Sequence, residues 1–170
     1  MAAVALRRAR RHETRPARAL RWLRVACRFA PRFGEAHRLL VTRTTAADPM
    51  RGMTEAGRWT TRFGTDSEAW VTLGTACRAA YRTHDALVAF ERALQIEERP
   101  DAAFAAGLLY RMKGDHATAG ARFARAYAAG HGSEALRENA RALVAAGDEA
   151  AAAEARRLWE KETGLTWNDQ

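Results

Sequence analysis

Five histidines, two cysteines and 20 carboxylates are the side chains of this 170-residue chain best suited to catalysis or metal binding. Their spacing builds neither. His12, His37, His84, His116 and His131 never stand four apart, as two zinc ligands on one helix face do, and neither HExxH nor GxSxG occurs. Cys27 and Cys77 are too few for a disulfide framework or a four-cysteine zinc knuckle; both fall on apolar helical stripes and read as small, reduced core residues. Gly130-His131-Gly132-Ser133 has the glycines of a phosphate loop, but no lysine follows and no strand precedes it. It reads as a helix stop followed by the N-cap of the next helix. The acidic residues are scattered over solvated faces with no acid–base pair. No enzymatic activity, no cofactor and no metal is expected.

The chemistry that remains is that of cations. The chain holds 28 basic and 20 acidic residues for a net charge of +8, and every basic residue except Lys113 and Lys161 is arginine. Residues 1–66 carry 15 basic and 5 acidic side chains, and within them residues 1–32 hold ten arginines against one acid, Glu13. Such asymmetry points to a polyanionic neighbour, either nucleic acid, an anionic membrane surface or an acidic protein face, with Arg7, Arg8, Arg10, Arg11, Arg15 and Arg18 as the polyanion-binding residues. Arginine bias of composition alone is the competing explanation. No stretch approaches the roughly 18 uncharged apolar residues of a membrane span. The opening MAAVALRRARRH is rich in arginine but lacks the apolar core of a secretory signal, so a cytoplasmic location is expected, or import into an organelle in a eukaryote.

The elements that must carry these side chains are helices. Alanine supplies much of the 48% hydrophobic content, and past residue 66 the apolar spacing is helical throughout. The chain also repeats itself every 33 residues. Trp70, Leu73, Gly74, Cys77, Ala86, Phe90 and Ala93 return as Ala103, Ala106, Gly107, Tyr110, Ala119, Phe123 and Ala126, then less clearly as Leu136, Ala140, Leu143, Ala152 and Arg156. Lys113-Gly114-Asp115 and Ala146-Gly147-Asp148 each place a glycine where one helix ends and a capping aspartate where the next begins. This two-helix unit with a Trp–Leu–Gly–Tyr–Ala–Phe–Ala pattern resembles the tetratricopeptide repeat family across residues 67–166. The resemblance implies an all-α, right-handed superhelical stack of antiparallel helix pairs, about three to four repeats. Residues 33–66 read as one degenerate repeat whose small and large positions fit poorly. Residues 1–32 read as an Arg-rich segment with a capping helix carrying Trp22, Val25, Ala26 and Phe29 on one stripe, and residues 167–170 as a tail. Trp167 is expected to fold back on the last helix.

The resemblance also places the inner wall of the stack on the first helix of each repeat. Chaperone-binding members hold a carboxylate there with lysine and asparagine at the fifth and ninth sites; Val71 and Thr75, Phe104 and Leu108, and Arg137 and Arg141 stand here instead, which disfavours that role. What remains is an apolar strip, Val71, Phe104, Leu108 and Met112, flanked by Arg78, Arg111, Arg137 and Arg141. It suits a partner protein or peptide with apolar anchors and acidic neighbours, unless Phe104, Leu108 and Met112 pack against the chain itself. The expected function is a non-enzymatic scaffold or adaptor, with self-association possible. The alternative is a nucleic-acid-associated or membrane-surface protein acting through the Arg-rich end. A double change, Arg111→Glu with Arg141→Glu, is expected to destroy capture without unfolding the stack.

Overall fold

A computed structural model gives the fold and describes residues 1–12 and 15–168. Glu13, and Asp169 and Gln170 of the tail, lie outside the described residues. Among the described residues there are ten helices and no strand: α1 (Ala2–Arg11), α2 (Pro16–Phe29), α3 (Gly34–Ala47), α4 (Pro49–Arg62), α5 (Ser67–Ala79), α6 (Thr83–Ile96), α7 (Pro100–Met112), α8 (His116–Ala128), α9 (Ser133–Ala145) and α10 (Glu149–Thr163). They form two compact units, residues 1–96 and 97–170. α1–α6 make the first, α7–α10 the second, and each helix packs on its successor within a unit. None of these helices is long and apolar enough to cross a membrane.

The helix boundaries follow from a few residues. Pro16, Pro49 and Pro100 open α2, α4 and α7, where a fixed φ and a missing N–H do no harm. Asp48, Asp66, Asp115 and Asp148 cap α4, α5, α8 and α10, each accepting a backbone N–H at 3.1 Å. Gly114 and Gly147 turn the chain at φ +81° and +82°. One repeat earlier the same turn position is occupied by Tyr81, at φ +58° and 93% exposed.

In the first unit, Leu6, Leu23, Ala26, Cys27 and Leu40 of α1–α3 share one core, with Trp22 and Val25 packed against it. Phe29, expected on the same stripe, is exposed at the last position of α2. α1 has no counterpart in the repeat pattern. It folds because Ala5, Leu6 and Ala9 share a face that is buried on this core, while its arginines stay in water.

The α5–α6 and α7–α8 pairs use one packing solution. A Cβ at Gly74 would fall 2.7 Å from the Phe90 ring, and one at Gly107 the same distance from Phe123. The phenylalanine fills the place where the glycine has no side chain, and both rings are fully buried. In α3–α4 the bulk is exchanged: Val41 stands at the glycine position and Gly57 at the phenylalanine position, where an added Cβ would meet nothing within 4 Å. Closest approach moves to the hairpin end, where Gly52 lies against Thr45. That exchange is the physical reason the small and large positions of residues 33–66 fit the motif poorly. In α9–α10, Ala140 and Arg156 replace the pair, and the Arg156 guanidinium turns to the Trp167 ring, 5.5 Å from its centroid.

Candidate interaction surfaces

The residues expected in an inner-wall groove fall in both units, and their surroundings differ. In the first unit Val71 is half-buried and Arg78 exposed, both on α5. On the neighbouring α3, Arg38 pairs with Glu68 of α5 at 3.6 Å. In the second unit Phe104 stacks on His131 with ring centroids 4.0 Å apart and tilts against Phe123 at 5.4 Å. Leu108 packs on the same core of Ala119, Phe123 and Ala142. Met112 is 73% exposed. So, within this unit, the apolar strip divides: Phe104 and Leu108 serve the fold and Met112 faces solvent.

The arginines are organised by a residue that the sequence reading did not single out. Glu138 of α9 is only 6% exposed, and its carboxylate accepts hydrogen bonds from Arg111 of α7 and, at 3.2 Å, from Arg141 one turn along its own helix. One buried anion therefore fixes two guanidiniums at the same place, and Arg137 lies exposed one turn from Arg141. The i, i+3 relation of Glu138 to Arg141 is visible in the sequence, but the link to Arg111 spans 27 residues and is not. This geometry corrects one expectation. Reversing both arginines would leave a buried carboxylate facing two more, a destabilising change in its own right.

At the N-terminal end Arg7, Arg8, Arg10, Arg11, Arg15 and Arg18 are all exposed. Arg10 pairs with Glu35, and the Arg8 guanidinium lies 4.6 Å from the Trp22 ring centroid. The chain after α10 folds back: the backbone N–H of Trp167 donates to the Glu160 carboxylate at 2.7 Å and its ring meets Trp159 edge-on at 5.4 Å.

Among the described residues, the groups with shifted pKa values are dispersed over several helices. Burial, with a smaller contribution from the Glu55 charge, pushes the Cys27 thiol up to about 11, and burial also raises Cys77. Both therefore stay protonated thiols at neutral pH. His37 sits between aromatic rings, stacked on Trp59 at 5.1 Å and edge-on to Phe63, with its Nε2–H donating to the Pro31 carbonyl at 3.0 Å. Its desolvation lowers its pKa from the ordinary histidine value, so it is neutral at pH 7. Among the described residues no three of His, Cys, Asp and Glu are grouped to hold a metal ion.

Solved structures settle the architecture. That of MamA aligns with a TM-score of 0.77 at 18% identity over 96% of this chain and 92% of its own. A thermophilic TPR protein of Thermus thermophilus aligns at 0.68 and 17% identity, over 96% and 92%. The chain has the tetratricopeptide repeat fold. The structure of Naa15/Naa10 bound to HypK-THB aligns at a TM-score of 0.70 and 18% identity over 99% of this chain and 26% of that one. No protein-family model and no curated protein matches the sequence. In tetratricopeptide terms α3, α5, α7 and α9 are first helices and α4, α6, α8 and α10 second helices, so Glu138 and its arginines lie on first helices.

Proposed function

We propose that this chain is a non-enzymatic scaffold that holds a segment of another protein on its first helices, through arginine–carboxylate pairs and apolar anchors. The observation that carries this reading is the Glu138 cluster. A buried carboxylate that holds Arg111 and Arg141 gives two guanidiniums with little conformational freedom left to lose on binding, beside the exposed Arg137 and Met112. The residues assigned to partner binding are Val71 and Arg78 in the first unit and, in the second, Phe104, Leu108, Arg111, Met112, Arg137 and Arg141. Phe104 and Leu108 would act by shaping the wall from beneath, Met112 by direct contact. The Naa15/Naa10 structure, with HypK bound, supports a protein partner for this fold in general.

The test is recovery of a binding partner from native lysate with nuclease present. Arg137→Glu with Met112→Asp, both exposed positions, is expected to abolish recovery of one discrete protein while the melting temperature stays at the wild-type value. Undiminished recovery by the double variant sinks the assignment.

A second reading has its own support. α1 is an ordered helix with Arg7, Arg8, Arg10 and Arg11 on its solvent side, an arrangement suited to a polyanion such as nucleic acid or an anionic membrane surface. Recovery that disappears on nuclease treatment, or co-sedimentation with anionic vesicles, favours it over the scaffold.

A further inference from the structure

The arginines of the first unit stand beside exposed apolar side chains that phosphates alone would leave in water. α1 and α2 pack as an antiparallel hairpin, and the Arg8 guanidinium over the Trp22 ring, 4.6 Å from its centroid, marks their register. Two helical turns return a side chain to the same face. Two turns from this contact, back along α1 and onward along α2, stand Met1 and Phe29, which therefore share one end of the hairpin on the Arg8–Trp22 face. Met1 is 85% exposed and Phe29 58%. Val4, one turn from Arg8 toward Met1, is 40% exposed. Trp22 and Val25 of α2 continue the same face inward, part-buried against the core of α1–α3, so the exposed side chains stand on a packed base.

The charge around this end is cationic. Arg7, Arg8 and Arg11 of α1 and Arg18 and Arg28 of α2 are exposed. Glu35 is taken by Arg10, and among the described residues Arg7, Arg11, Arg18 and Arg28 have no carboxylate partner. Around the axis of α1, Val4 falls between Arg8 and Arg11, which sets an apolar side chain within the cationic face itself. Two kinds of polyanion present different surfaces to such a face. The backbone of a nucleic acid is charged and hydrated along its whole length and gives Val4 and Phe29 nothing to pack on. An anionic bilayer carries its charge at headgroup level with acyl chains just beneath. Arginine side chains are long enough to stay with the headgroups while shorter apolar ones enter the boundary.

We infer that the α1–α2 hairpin docks on an anionic lipid surface, with Met1, Val4 and Phe29 entering the headgroup–acyl boundary and Arg7, Arg8 and Arg11 pairing with the headgroups. The inference rests on the polyanion reading and names the partner for it. Flotation of the full chain with phosphatidylcholine vesicles containing roughly one-third phosphatidylserine, against vesicles of phosphatidylcholine alone, is the test. Binding is expected to the anionic vesicles only. Val4→Ser with Phe29→Ser, both at exposed positions, is expected to weaken it about tenfold or more while the melting temperature stays at the wild-type value. Arg7→Gln with Arg11→Gln is expected to weaken it similarly, and Arg137→Gln in the second unit to leave it unchanged. Duplex DNA is titrated in parallel. Equal binding to the uncharged vesicles, or binding indifferent to the serine pair, overturns the inference. Binding to DNA with none to vesicles also overturns it, yet keeps the polyanion reading; binding to neither sinks both and leaves the scaffold reading to recovery of its native partner.

Discussion

Single residues depart from the repeat pattern where the backbone or a proton is most constrained. Tyr81 takes the left-handed conformation that Gly114 and Gly147 take at the equivalent turns. A side chain there carries a penalty of roughly 1–2 kcal/mol, and its ring, almost fully exposed, recovers little of it by packing. Tyr81→Gly is accordingly expected to raise the unfolding free energy by about 1 kcal/mol in chemical denaturation, the greater freedom of glycine in the unfolded chain offsetting part of the gain. His37 sets a pH dependence. Its folded pKa lies below the ordinary 6.5 because burial disfavours the cation, so the unfolded chain takes up the proton first as pH falls. The stability contributed by neutral His37 is complete above pH 6.5 and is lost as pH drops toward and through the folded value. Melting temperature measured between pH 7.5 and 5.5 should decline in the wild type and decline less in His37→Phe. Glu98, hydrogen-bonded to Arg125, and Asp115, capping α8, are also held low, but from 4.5 and 3.8, so their losses fall in a separate, more acid window.

Among the elements, one pair of positions decides how each hairpin closes. Alanine at Gly74 or Gly107 forces its methyl into the ring of Phe90 or Phe123, and each change is expected to cost about 1–3 kcal/mol. Alanine at Gly57, in the middle of α4 with open space where its Cβ would lie, is expected to stabilise by about 0.5–1 kcal/mol. A loss at Gly74 and Gly107 with a gain at Gly57, read by urea denaturation of the three variants, checks that the first two glycines face a ring and the third faces open space; a change of one sign at all three refutes it. The same pair shows what was legible beforehand. Gly74–Phe90 and Gly107–Phe123 are local features at a fixed separation, so the fold could be read from them. Val41–Gly57 puts the larger residue on the first helix, leaves open space at Gly57 and moves close approach to Gly52 and Thr45, and a pattern of residue types does not register a contact relocated along the hairpin. The candidate site was less legible for a related reason. Exposed Met112 and part-buried Phe104 share helical spacing and differ only in what His131 and Phe123 bring to one of them. Glu138 is an ordinary surface residue until α7 lies beside α9.

For the molecule as a whole the charge distribution follows directly from the order of residues, and its consequence is measurable. If the exposed arginines of α1 and α2 meet phosphates, binding to duplex DNA should weaken linearly in log–log form with salt, and each lost contact should flatten the slope by roughly 0.9. Replacing Arg7, Arg11, Arg15 and Arg18 with Gln is therefore expected to reduce the slope by about 3–4 units, and a slope unchanged by all four substitutions removes the polyanion reading. At the other end, the docked tail carries a built-in optical reporter. Two indoles held edge-on at 5.4 Å, under the Arg156 cation, couple their electronic transitions. Near-ultraviolet circular dichroism can thus follow release of the C-terminal segment in an unlabelled chain, independently of the far-ultraviolet signal of the helices.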